Sequence, residues 1–273
     1  MKTPLLEKIQ QSKLMTNQLL TGKQFNSFYH NQIFVKLTNQ SENHHACHFQ
    51  TGLNTDPMPF DPQGDCQPGG IYFCLMEKIP MWLNYSSQSM IYSRLVTIPD
   101  DAQVWVEKDK FKADKIILGE RQEISDLAIW EDPEYCLRAV ETNMYALEYV
   151  KQQTPDICLA AVTNQAASLQ FIKNQTMEIC LAAVRKNGWT LEYVKDQTPE
   201  ICTIAVKQNG VALQFVKEQT HNICLAAVQQ NGLALQFVEQ QTPEICLIAV
   251  KQNGWALKYV KDHSLLQQIN KYI

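Results

Sequence analysis

Cysteine returns at a constant step of 22 residues, at Cys136, Cys158, Cys180, Cys202, Cys224 and Cys246. Leu147, Leu169, Leu191, Leu213, Leu235 and Leu257 keep the same step, as do Thr154, Thr176, Thr198, Thr220 and Thr242, with Asp132 in the first copy. The unit reads T-P-E-I-C-L-x-A-V-x-x-N-G-x-A-L-x-[YF]-V-x-x-Q. Six copies span 132–263, and a seventh begins at Ser264 and stops. A unit this short cannot bury a core of its own. Its apolar face must be completed by its neighbours, so the repeat dictates an array in which each copy stacks on the next.

One copy can be followed residue by residue. Thr198 is an N-cap, and Pro199 suits the first helical position, whose N–H has no partner anyway. Glu200 favours the positive end of the helix dipole. Ile201, Cys202, Ile204, Ala205 and Val206 form an apolar stripe at helical spacing. Asn209-Gly210 is expected to stop the helix, with the glycine at positive φ. A second short helix then carries Leu213, Phe215 and Val216 toward the core. Each unit is therefore a hairpin of two helices, about 16 Å and 13 Å long, too short to persist alone. Ala161, Ala183, Ala205, Ala227 and Ala249 keep one position small for close helix approach. The expected architecture of 123–273 is an α-solenoid of short helical hairpins. Copy one, with Asp132 for Thr and Asn143-Met144 for Asn-Gly, is an atypical capping unit. The tail, with Leu265, Leu266 and Ile269, closes the other end.

The P-E-I-C-L-x-A-V-x-x-N-G-x-A-L-x-[YF]-V core resembles the short two-helix repeat family of unassigned function known from large DNA viruses, protists and amoeba-associated bacteria. That resemblance implies a helical repeat array and no particular chemistry.

The nine cysteines bear on the compartment. Six sit inside the apolar repeat pattern, where free cysteine acts as a small hydrophobe. Stacked helices lie about 8–10 Å apart, and a disulfide needs Cα atoms within about 7 Å, so the column is expected to be reduced. A reducing, cytoplasmic location follows. The first residues lack the apolar core of a Sec leader, and delivery into a host cytosol by another route would leave the same sequence. No uninterrupted apolar run approaches the roughly 18 residues of a membrane span.

Before the array the pattern changes. Residues 4–21 read as an amphipathic helix, with Leu5, Leu6, Ile9, Leu19 and Leu20 available for packing, and segment 1–23 is treated as that helix. Short runs rich in β-branched and aromatic residues at 33–38, 45–50, 71–74, 90–98, 103–106 and 112–118 read as strands. A long proline-rich loop covers 55–70, and a helical stretch lies around 77–85. Residues 24–122 are thus expected to form a small α+β domain preceding the array.

Three constellations in that domain could carry chemistry. His44, His45, Cys47 and His48, with Cys66 and Cys74, are soft metal ligands, but alternation on a strand sends them to opposite faces and no paired spacing completes a site; no metal is expected. A Cys-His nucleophile from the same residues would need proximity in the fold, and packed thiols are the plainer reading. The third is Gly69-Gly70-Ile71-Tyr72-Phe73. It resembles the NAD-binding half of the ADP-ribosyltransferase fold, in which Tyr72 matches the tyrosine of the His-Tyr-Glu signature. The resemblance implies that Gly69, Gly70 and Tyr72 contact NAD, that Lys36 stands at the histidine position and that Glu107 is the nearest carboxylate to the catalytic place. The sequence departs from the signature at both of those positions.

The array points to a protein partner. Its 132–263 stretch carries 11 Lys and Arg against 13 Asp and Glu, and the whole chain has a net charge of −4, which disfavours nucleic acid. The most varied position of the unit holds Tyr145, Ala167, Trp189, Val211, Leu233 and Trp255. Tyr145, Trp189 and Trp255 are either staples against the neighbouring copy or anchors for a partner. The leading expectation is an interaction protein of the host-directed effector type without a cofactor. The alternative is an NAD-dependent ADP-ribosyltransferase with the array as target-recognition domain.

Overall fold

The computed structural model describes residues 16–44, 47–63, 67–85, 88–262, 264 and 266–267. The chain divides into two compact units, Met1–Tyr135 and Cys136–Ile273.

The first unit is sheet-rich. In chain order it runs β1 (Gln18–Thr21), α1 (Gly22–Phe28), β2 (Phe34–Thr38), β3 (Asn43–His44), β4 (Cys47–His48), β5 (Gly52–Thr55) and β6 (Ile71–Leu75), then α2 (Ile79–Trp82). It continues with β7 (Asn84–Tyr85), β8 (Gln88–Ser89), β9 (Tyr92–Thr97), β10 (Gln103–Val106), β11 (Phe111–Ala113), β12 (Lys115–Leu118) and β13 (Gln122–Glu123). The main sheet has the order β1-β10-β11-β6-β2-β9-β12-β5, with β13 on β9, and its neighbours pair antiparallel. Two small hairpins, β3–β4 and β7–β8, stand apart from it.

Alternation along the strands builds the core. Phe34, Ile71, Phe73 and Phe111 share one face, and α1 lays the fully buried Phe25 across them. Its ring centroid lies 5.0 Å from Phe34, 5.2 Å from Phe111 and 6.0 Å from Phe73. Thr21 and Gln24 start α1 with a capping box.

The sequence expectation is corrected at two places here. The end of the helix expected over 4–21 is strand: Leu20 turns into the core while Leu19 is exposed, the period-two signature, and both pair with β10. Residues 1–15, with Leu5, Leu6 and Ile9, lie outside the described residues. The strand expected over 112–118 is two strands. Asp114 breaks it, its carboxylate accepting from Gln103 N–H at 2.8 Å and its own N–H donating to the Gln103 carbonyl. The bend lets β11 pair with β6 and β10 while β12 pairs with β5 and β9.

A buried ion pair fastens the turn that leads from β2 into β3. Glu42, in left-handed backbone with φ +52, accepts from Arg94 Nε at 2.9 Å and Nη2 at 3.2 Å. Arg94 also donates to Thr51 Oγ1 and the Gly119 carbonyl.

The second unit is a run of short helices. The α-helices are α3 (Pro133–Thr142), which begins in the first unit, then α4 (Pro155–Asn164), α5 (Met177–Lys186), α6 (Pro199–Gln208), α7 (His221–Gln230) and α8 (Pro243–Gln252). From α4 on, a threonine caps each, its hydroxyl accepting from the N–H three residues later. Cys, Ala and Val of every copy are buried, with Ile beside the cysteine in copies two to six and Tyr135 in copy one, as the stripe requires. After each helix comes a 3₁₀ turn: Met144–Glu148, Ala166–Phe171, Gly188–Tyr193, Gly210–Phe215, Gly232–Phe237 and Gly254–Tyr259. The second arm of the hairpin is thus 3₁₀ and not α.

The expected positive φ at the Asn-Gly stops is also corrected. The glycines with positive φ are Gly52, Gly69 and Gly70, and none of the array glycines. The helix stops instead because the asparagine itself turns extended, with φ −148 and ψ 107 at Asn209, and caps the 3₁₀ turn by accepting from Val211 N–H at 3.1 Å.

Candidate interaction surface

The 3₁₀ edge of the array is placed by three polar columns that tie each copy to the next. Gln197 Nε2 donates to the Leu191 carbonyl of its own copy at 3.3 Å and to the Phe215 carbonyl of the next at 2.8 Å. Its Oε1 accepts from Lys217 N–H at 3.0 Å. Gln153, Gln175 and Gln241 repeat the pattern. One amide thus satisfies three backbone groups that the tight turns would leave unpaired. The second column links Asn-Gly glycines to the following copy: Gly188, Gly210 and Gly232 N–H donate at 2.6 Å to Gln208, Gln230 and Gln252 Oε1 respectively. A side chain on these glycines would collide with the carbonyls of Ala205, Ala227 and Ala249. The third is the cysteines, which are free thiols. Cys180, Cys202, Cys224 and Cys246 donate to the bridging glutamine at 3.4–3.7 Å. Burial pushes these thiols up, Cys246 to about 11, so they are held as neutral packing groups.

On this edge the variable position projects its side chains. Tyr145 is 37% exposed, Trp189 42% and Trp255 77%. Tyr145 packs on Phe171 of the next copy at 5.5 Å between centroids, and Trp189 on Phe215 at 5.6 Å. Tyr145 and Trp189 therefore each have one side on a neighbour and the other open, while Trp255 is mostly exposed. Copies two, four and five carry Ala167, Val211 and Leu233 there, all half-buried.

The first unit distributes its candidate residues differently. Tyr72 is buried in β6 opposite Lys112 of β11. Two ammonium groups lie over its ring, Lys110 at 4.9 Å and Lys112 at 5.1 Å from the centroid. Glu107 lies 3.4 Å from the same Lys110. Tyr72 and Glu107 are thus joined through one lysine. Lys36 is on the other face of the sheet, since Val35 is the residue opposite Cys74, and its ammonium lies 4.6 Å over Phe49. Gly69 and Gly70 pack against residues 59–61 and Lys112. A side chain at Gly69 would come within 2.6 Å of the Pro59 carbonyl, and one at Gly70 within 2.8 Å of the Lys112 side chain. Gly70 N–H donates to Asp56 Oδ2, and Lys112 Nζ to the Asp61 carbonyl at 2.7 Å, so the loop is latched onto the sheet. Nothing in these contacts supports the ADP-ribosyltransferase resemblance.

Cys47 and Cys74 are poor nucleophiles by environment. Burial raises Cys47 to about 11, with the Asp56 carboxylate adding to it, and raises the fully enclosed Cys74 to about 12. His44 pairs backbone-to-backbone with Cys47, and His48 Nδ1 lies 2.7 Å from Asn43 Oδ1. His45 and Cys66 lie outside the described residues. Among the described residues no group of three His, Cys, Asp or Glu side chains is placed to hold a metal ion. The glutamine columns and the Arg94–Glu42 pair were missed in the sequence, although the bridging glutamine repeats visibly every 22 residues.

These features define a helical repeat protein built from 22-residue units. Residues 176–220 and 221–265 each match the domain of unknown function DUF4116, so one match takes in two consecutive copies. Similar proteins come from Acanthamoeba polyphaga mimivirus. Putative ankyrin repeat protein R868 is 30% identical over 107 residues, 37% of this chain and 51% of that protein. Putative ankyrin repeat protein R229 is 35% identical over 92 residues, 30% of this chain and 29% of that protein. Uncharacterized protein R869 is 31% identical over 106 residues, 37% of this chain and 74% of that protein. The chain belongs to the repeat family represented by R869. It spans about half the length of R868 and under a third of R229. Its 22-residue unit is shorter than the ankyrin unit of about 33 residues. No solved structure matches the chain. No helix among the described residues is long and apolar enough to cross a membrane.

Proposed function

We propose that the protein acts by binding another protein along the 3₁₀ edge of its repeat array, which stacks as a solenoid. The observation that carries this reading is the row of exposed aromatic rings at Tyr145, Trp189 and Trp255. Tyrosine and tryptophan are enriched among the few residues that dominate binding energy, since they bury a large rigid surface at low entropic cost. The variable position changes size from copy to copy while its supports stay constant, which is how a fixed scaffold acquires a specific surface. The names of R868 and R229 describe repeat proteins, and a viral setting makes a host protein the natural partner class. The reduced thiols suit a cytosolic place of action.

The test is capture of partners from a host lysate with the full chain and with Trp189→Ala and Trp255→Ala, followed by affinity measurement on the partner identified. Trp255 is mostly exposed, so its replacement is expected to leave the melting temperature unchanged and to weaken binding by about tenfold or more. A clear loss of stability at Trp255→Ala, of the roughly 3–5 kcal/mol that core truncation costs, would make the ring a packing residue and overturn the reading.

A further inference from the structure

The variable position does not change alone. In the first, third and sixth copies it is aromatic, and a charged residue stands three places on: Tyr145 with Glu148, Trp189 with Glu192 and Trp255 with Lys258. A tyrosine directly follows each charge. In the second, fourth and fifth copies the same three places hold an aliphatic residue, a glutamine and a phenylalanine. The array is thus made of two kinds of copy, which differ together at the 3₁₀ edge.

The geometry of the turn explains why these places change as a set. In a 3₁₀ turn the side chains at i and i+3 eclipse, so each aromatic ring and its charge rise from the same side. Both are exposed in all three copies. The phenylalanines of copies two and four back Tyr145 and Trp189 at 5.5 and 5.6 Å. In the glutamine copies the amide folds onto its own turn. Gln170, Gln214 and Gln236 Nε2 donate to the carbonyl of the variable residue at 3.1–3.3 Å. A carboxylate has no proton for that bond, so Glu148 and Glu192 are not drawn inward by it. The lysine three places beyond Glu192 is already engaged: Lys195 Nζ donates to the Ile172 and Lys173 carbonyls at 3.1 and 2.8 Å. Partial burial pushes the Glu148 carboxyl above its ordinary value, a loss of solvation that a docked cation would offset.

An aromatic face beside a carboxylate receives a basic side chain, because ring and anion attract the same cation and a guanidinium also stacks on the ring. The two acidic pairs stand two layers apart, about 16–20 Å at roughly 8–10 Å per layer. About five or six residues of extended chain span that distance. At the other end of the row the charge is reversed, with Lys258 Nζ lying 4.8 Å over the Tyr259 ring. We infer that the 3₁₀ edge receives an extended segment of the partner protein bearing two arginines or lysines about five or six residues apart. One basic side chain sits on Tyr145 and Glu148, the other on Trp189 and Glu192, and an acidic part of the segment lies toward Lys258. This inference rests on the reading of the edge as a binding surface. It adds the chemistry of what binds there and, through the unlike charges at the two ends, its direction.

The experiment measures binding of short fluorescent peptides to the full chain by anisotropy. One peptide carries two arginines about six residues apart with glutamates beyond the second. Others set the arginines side by side, replace them with glutamine, or omit the glutamates. The spaced-arginine peptide is expected to bind most tightly and to weaken as salt rises. Glu148→Gln with Glu192→Gln should weaken it by about threefold to tenfold, and Tyr145→Ala with Trp189→Ala by a similar factor. Lys258→Glu should weaken only the peptides that carry glutamates. Glu178→Gln with Glu200→Gln, acidic residues in the first turns of α5 and α6, should change nothing. Melting temperatures equal to the parent's show that the glutamine variants are folded. Glutamine peptides that bind as well as arginine peptides would overturn the inference while leaving the edge a binding surface. Equal losses from the Glu178 and Glu200 pair would assign binding to the general acidity of the array and overturn it as well. If no peptide binds and the ring variants also capture the same lysate proteins as the parent, the reading of the edge falls with it.

Discussion

A single methyl group added at Gly210 meets the Ala227 carbonyl and stands 2.9 Å from Gln230 Oε1. The glycine is required by what stands beside it and not by its own backbone angles. Gly210→Ala is therefore expected to destabilise the array by about 1–3 kcal/mol, the usual cost of overpacking. Gly254→Ala, where no atom of the described residues lies within 4 Å, should melt at the same temperature as the parent. Losses of equal size at both positions would mean that a backbone requirement shared by the two governs instead. The sequence shows the glycine column plainly, but the group it must clear lies 17 residues on, in another copy. A second clue is legible once the pairing is known. The glutamine facing each glycine is replaced by Asn164 and Lys186 where the preceding copy carries Met144 and Ala166.

Among the elements, the turn that leads from β2 into β3 depends most visibly on charge. Desolvation pushes the Glu42 carboxyl up, but the hydrogen bond and charge of Arg94, with Arg121 assisting, outweigh it and hold the group below its ordinary value. A carboxylate lowered in the folded state adds stability above its unfolded pKa of about 4.3, and that stability is lost as pH falls through the lower folded value. Glu42→Gln should thus cost about 1.5–3 kcal/mol at neutral pH, the range for hydrogen bonds to charged groups. The gap from the parent should narrow in acid, as read from denaturant midpoints across pH. A gap that stays constant from neutral pH into acid would remove Glu42 as the titrating fastener. Strands rich in β-branched and aromatic residues, such as β6 and β10, were legible in the sequence. The break at Asp114 was not, because a bend set by hydrogen bonds to Gln103 leaves no periodic trace. The strand β1 was misread because Leu19 and Leu20 fit a helical stripe as well as a two-sided strand.

At the scale of the whole molecule, the array's contacts are strictly between neighbours. Each bridging glutamine reaches 18 to 20 residues forward and no further. Deleting 198–219, one entire copy, removes a layer but rejoins identical partners, so the chain should retain a cooperative melt with proportionately less helical signal. Deleting 198–208 removes α6 alone and leaves the bridging contacts of two copies without counterparts. That variant should lose its cooperative transition in circular dichroism, and an unaltered melt would refute nearest-neighbour stacking as the source of stability. The aromatic row was legible as the variable position of the unit, while the exposure of each ring depends on the neighbour it meets. The same nearest-neighbour wiring has a hereditary consequence. Recombination between copies in a gene adds or removes whole units, and every join so made restores the glutamine bridges without compensating change elsewhere. The length of the array, and with it the spacing of its rings, is thereby a trait that can shift in one genetic step while the fold stays intact.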